Sequence, residues 1–99
     1  MDIHAFKTSL EQPSPPEELS RPLAALWHLG KGDWDQAHKL AQQDEGEPRH
    51  DWVHAHLHRV EGDLANAGYW YRRAGKPVAT GPTDAEWRTI VEVLLAEAG

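Results

Sequence analysis

Residues 25–37, ALWHLGKGDWDQA, and residues 55–67, AHLHRVEGDLANA, decide the fold. Set against each other at an offset of 30, they superpose Ala25 on Ala55, His28 on His58, Gly32 on Gly62, Asp33 on Asp63 and Ala37 on Ala67. In each copy an apolar-periodic stretch stops at a glycine, and the aspartate that follows is suited to accept the first N–H groups of a new helix. Each copy therefore reads as a helical hairpin. A single hairpin cannot bury its apolar face, so two of them are expected to stack on one another.

Outward from the two turns the same reading continues. LAALWHL runs up to Gly30, with Pro22 breaking or restarting the helix and Ser20 available as a cap. Ser14-Pro15-Pro16-Glu17 also has the form of a helix start, which makes residues 1–13 an N-terminal arm and residues 14–99 a single domain. Trp34, Ala37, Leu40 and Ala41 follow helical spacing, as do Val53, Leu57 and Val60 after the loop at 44–48. Leu64, Ala67, Tyr71 and Ala74 form the stripe of the next helix. Beyond the linker GKPVATGP, Thr83-Asp84-Ala85-Glu86 has capping-box spacing, and Trp87, Ile90, Val91, Leu94 and Ala98 share one face. The expected architecture is all-α: hairpins at about 20–43 and 49–75 plus a C-terminal amphipathic helix at about 83–98, five main helices with no strand.

The hairpins resemble tetratricopeptide repeats. The likeness rests on small residues Ala25 and Ala55 on the first helices, Ala37 and Ala67 on the second, then Tyr71, Ala74 and Pro77 closing the second copy. The offset of 30 departs from the 34-residue period of that family, and Trp52 does not fall at its leading tryptophan, so no peptide groove is carried over. The strings WHLGKGDWDQAH (27–38) and WVHAHLHRVEGDLANAGYWYRRAG (52–75) also resemble a group of small bacterial proteins with GDW…AH and HAxLHRxEGDxxNAxYWYxRAG segments. That resemblance implies a common fold and surface, not a reaction.

Composition narrows the function classes. With 99 residues the chain holds one core, and with no cysteine it has no disulfide framework, thiol nucleophile or thiolate-bound metal. Ten Lys and Arg against 16 Asp and Glu give a net charge of −6, which disfavours nucleic acid as a partner. No stretch approaches the roughly 20 apolar residues of a membrane span, and the first residues lack a signal-peptide core, so a cytosolic protein with no membrane partner is expected.

Two excesses remain, 5 Trp and 7 His. Trp27, Trp34 and Trp87 fall on or beside apolar stripes and are expected in the core, whereas Trp52 and Trp70 fall off them. In HDWVHAHLHRVE (50–61), His50, His54, His58 and Glu61 share a helical arc of roughly 80° beside the apolar stripe. His54 and His58 at i, i+4 with Glu61 a turn further carry the residue types and spacing of a helix-borne site for a divalent metal such as zinc. His28 and His38 would complete it if the hairpins pack face to face, and His56 points elsewhere. Histidines so spaced also serve as hydrogen-bonding residues at helix seams. On the next helix Asn66, Tyr69, Arg72 and Arg73, with Trp70 and Trp52 nearby, are candidates for an anion or ligand site, or simply for pairing with local carboxylates.

No complete catalytic motif is present: H-E-x-x-H is absent, as are G-x-S-x-G and a phosphate loop. The leading expectation is a non-catalytic binding or protein-interaction module with a protein or small-molecule partner. The alternative is a metal-dependent or histidine-based enzyme centred on His54, His58 and Glu61. A third is a pH-responsive surface, since seven histidines outnumber the net charge of −6 and their protonation would reverse its sign.

Overall fold

In the computed structural model, which describes residues 1–98, the two Gly-Asp turns have the same geometry. Gly32 and Gly62 hold φ of 83° and 89°, the left-handed conformation that glycine adopts at no steric cost. The Asp33 and Asp63 N–H groups donate to the His28 and His58 carbonyls, both at 2.9 Å. Their side chains accept from the Gln36 and Asn66 N–H groups at 3.1 and 3.2 Å. Equivalent residues in the two copies thus close one helix and open the next through equivalent bonds.

These turns join α2 (Arg21–Gly30) to α3 (Trp34–Ala41), and α4 (Pro48–Glu61) to α5 (Leu64–Ala74). A short 3₁₀ turn, Gln42–Asp44, precedes α4, whose start is capped by the Glu47 side chain. Each hairpin packs chiefly on itself, α2 with α3 and α4 with α5. The hairpins meet through α3 and α2 against α4, and α6 (Thr83–Ala98) lies against α4, α2 and α1 (Ile3–Ser9). The described residues are all-helical, without a strand. None of these helices is long and apolar enough to cross a membrane.

The main core joins Phe6, Leu23, Leu26, Trp27, Val53, Leu57, Ile90 and Val91. A smaller cluster of Ala55, Ala67, Trp70 and Tyr71 lies under the second hairpin, with half-buried Trp52 packed against both. Trp34 and Trp87 are half-buried at the core edge and spend their indole N–H groups on the Leu57 and Leu26 carbonyls, at 2.8 and 2.9 Å.

Several expectations are corrected. The segment 1–13 is not a free arm, because α1 buries Phe6 completely against α6, its ring 5.8 Å from that of Trp87. The Ser9 hydroxyl accepts from the Trp27 indole at 3.1 Å, and Lys31 donates to the Leu10 carbonyl at 2.7 Å, so the segment is tied down at both levels. The described residues therefore form six α-helices rather than five. No helix starts at Ser14; consecutive prolines disfavour helical φ/ψ in the residue before each, and α2 begins only after Ser20, which caps it. Pro22 falls within its first turn, where it starts the helix rather than breaking it. Leu64, placed on the apolar stripe by spacing, is 68% exposed because it is the first residue of α5 and projects past the end of α4; Val60 is exposed as well.

The capping box is corrected too. Thr83 is already helical, so the Glu86 side chain has no cap to return to and turns inward instead. It lies outside the sequence expectation in another way: it is the anchor of the C-terminal helix. Within the stripe of α6, Ile90, Val91 and Leu94 are buried as expected, while the side chain of Ala98, and Gly99 as a whole, lie outside the described residues.

Candidate metal centre

Helical spacing and one hairpin-to-hairpin contact build the site. On α3, the cap at Asp33 sets the phase that puts Trp34 and His38 on one face, and their rings stack 4.8 Å apart at 9°. The Trp34 N–H to the Leu57 carbonyl fastens that face onto α4. On α4, His54 and His58 stack on each other at 4.8 Å, one turn apart. From α5, Trp70 covers His54 with its ring 4.0 Å away and 17° from parallel.

His38, His54 and His58 converge there. One ring nitrogen from each lies within 4.8 Å of the other two. The Nε2 atoms of His38 and His54 are 3.0 Å apart, a hydrogen-bond distance at which one ring can donate to the other, and one near the roughly 3.3 Å that two nitrogens keep on a tetrahedral zinc with bonds of about 2.0–2.1 Å. The Nδ1–H of His58 faces the Glu61 carboxylate at 2.5 Å, which leaves Nε2 with its lone pair free. A carboxylate behind a histidine in this way fixes its tautomer and raises its basicity as a ligand.

Burial disfavours the protonated forms of His54 and His38. His54 is 3% exposed, and burial first, then the charges of His58, His38 and Arg73, push it down to about 3. Burial also lowers His38, helped by His58, although the carboxylates of Glu61, Asp35 and Glu45 pull the other way. His54 Nδ1 is buried with no hydrogen-bond partner among the described residues. An orphaned buried nitrogen is a cost that a well-packed core avoids.

The other histidines are occupied elsewhere. His28, proposed from sequence as an auxiliary ligand, sits on α2 with its ring against Trp27 and does not join the cluster. His50 bonds the Ala41 carbonyl through Nδ1 at 3.2 Å. His56, set aside as a ligand, is buried and bonds Glu86 at 2.6 Å. That carboxylate also accepts from Arg59 at 3.0 Å and from the Tyr71 hydroxyl, while Arg59 donates to the Gly81 carbonyl. Burial alone would raise the Glu86 carboxyl, but His56, Tyr71 and Arg59 outweigh it and hold it below the ordinary range. Nothing in the sequence singled out this network, although a Tyr71 hydroxyl on an apolar stripe signals a buried partner.

The candidate anion site comes together only in part. Arg73 lies over Trp70 at 4.9 Å, donates to the Tyr69 hydroxyl at 3.2 Å and approaches the buried Asp51 to 4.0 Å. Its charge is already matched, which favours the local-pairing reading. Arg72 is exposed and Asn66 half-buried; among the described residues no side-chain bond links either to that ladder. Trp52 is covered by Lys76, 4.3 Å from its ring.

Fold and site together define an all-helical domain with a three-histidine centre between two hairpins. No protein-family model, curated protein or solved structure matches the chain.

Proposed function

We propose that the protein is a non-catalytic binding module whose ligand is a divalent transition-metal ion, held by His38, His54 and His58. The observation that carries this reading is the convergence of three imidazoles on one centre, one of them almost wholly buried. Seam histidines satisfy themselves one at a time, as His50 and His56 do. Of these three, His38 and His54 meet through their Nε2 atoms at 3.0 Å, and a ring nitrogen of His58 lies within 4.8 Å of one from each, so that one ion could be shared among them. Protonation does not compete, because burial already disfavours the charged forms of His54 and His38.

Three neutral nitrogens suit zinc, nickel, cobalt or copper, whereas magnesium and calcium require oxygen donors. The carboxylates of Asp35, Glu45 and Glu61 act on His38 through space and favour the approach of a cation. Calorimetric titration of the tag-free protein is expected to give one zinc per chain and no magnesium binding. Glu61→Ala, at a side chain on the last turn of α4, is expected to weaken zinc by about 10- to 100-fold through loss of the support behind His58. Equal zinc affinity in that variant would remove Glu61 from the site. No zinc binding by the unaltered chain would remove the reading.

A further inference from the structure

The three histidines leave a tetrahedral ion one ligand short, and among the described residues no protein group fills the place. Among the described residues no fourth imidazole or carboxylate joins the set of nitrogens within 4.8 Å of one another. The nearest carboxylate, Glu61, is held by the far nitrogen of His58 and forms a separate grouping with Asp63. Structural zinc sites close with four protein ligands; a site with three keeps a position for water or an incoming molecule. His54 and His58 are buried and His38 is half-exposed, so of the three ligands His38 on α3 is the one nearest the solvent.

The charge count says what that position takes. Imidazoles ligate in neutral form, so the ion keeps its double positive charge, offset in part by Glu61 behind His58 and by Asp35 and Glu45 acting through space. The indole rings of Trp34 and Trp70 wall the centre against His38 and His54, and a low-dielectric wall strengthens attraction for a negative ligand. On the metal reading above, on which this rests, the geometry points to an open centre whose fourth position binds a small monodentate anion, in exchange with water. The ligand class is a compact one-atom donor such as hydroxide or azide.

Cobalt(II) reports this directly, since its visible bands depend on coordination number and ligand type. The full-length protein is loaded with cobalt to one equivalent and titrated with sodium azide. The expected result is an intense four-coordinate spectrum whose bands shift and saturate with azide at one per cobalt, while the metal stays bound. A four-coordinate cobalt spectrum that azide leaves unchanged overturns the open centre and leaves metal binding standing. No cobalt spectrum overturns the metal reading, and the open centre with it.

Discussion

Replacing Glu86 by alanine is expected to lower the stability of the fold by about 3–5 kcal/mol, the cost of removing one partner from a buried ion pair. Three donors from two other helices end on this carboxylate: His56 and Arg59 of α4 and Tyr71 of α5. The side chain of Arg59 is itself only 11% exposed, so without Glu86 a largely buried charge keeps only the Gly81 carbonyl and the buried Tyr71 hydroxyl loses the carboxylate it donates to. The loss is large against the 5–15 kcal/mol that holds a typical domain folded. Urea unfolding followed by circular dichroism measures it. Because removing both members of a buried pair is often far cheaper than removing one, the double change Glu86→Leu with Arg59→Met is expected to recover part of the loss. A single-variant cost below about 1 kcal/mol would mean that the network does not anchor α6.

The second large effect is on ligand-linked stability. Zinc at a hundredfold excess over its Kd is expected to stabilise the unaltered chain by about 2.7 kcal/mol. For a domain of this size that is a rise in Tm on the order of 10–20 °C. His54→Ala removes the most buried of the three ligands and is expected to abolish the zinc-dependent rise. His38→Ala, at the half-exposed member of the set, tests the same point with less disturbance of packing. A zinc-dependent rise that survives both changes would place the ion elsewhere.

Acid is expected to destabilise the metal-free protein in a definite window. The folded state holds His54 down to about 3 against an ordinary value of 6.5, so the unfolded chain binds the extra proton throughout that interval. Stability is thus full above about pH 6.5 and falls as pH drops toward 3, by about 1.4 kcal/mol per pH unit for this group. His38 acts in the same direction. Glu86, held below its ordinary 4.5, adds to the loss only when pH falls below that value. Urea midpoints between pH 8 and 4 check the sign; constant stability across the range would contradict it.

Which parts of this were legible in the sequence follows from the range of each interaction. The two Gly-Asp turns were, because glycine's left-handed φ and an aspartate cap are settled by a few adjacent residues. His54 and His58 were placed on one face by helical phase alone, and His38 could be added on the condition that the hairpins pack together. His28 could not be told from His58 in this way. The two occupy matching places before matching turns, but α4 faces α3 across the hairpin boundary while His28 on α2 meets Trp27.

The burial of Phe6 was invisible for the opposite reason. Seven residues with one aromatic have no stable helical preference of their own, and α1 exists because α6 offers a surface for that ring. Glu86 carried a misleading local signal: its spacing from Thr83 matched a capping box, and a tertiary demand from His56, Arg59 and Tyr71 overrode it. The excess of histidine noted in the composition therefore divides by environment. His50 and His56 are satisfied singly, and His38, His54 and His58 are gathered.

Histidine ring ¹H–¹⁵N NMR during a zinc titration tests that division most directly. The account predicts that the ring nitrogens of His38, His54 and His58 shift together and saturate at one zinc per chain, while those of His28, His50 and His56 stay in place. Ring signals of His38, His54 and His58 that zinc leaves unmoved would contradict it.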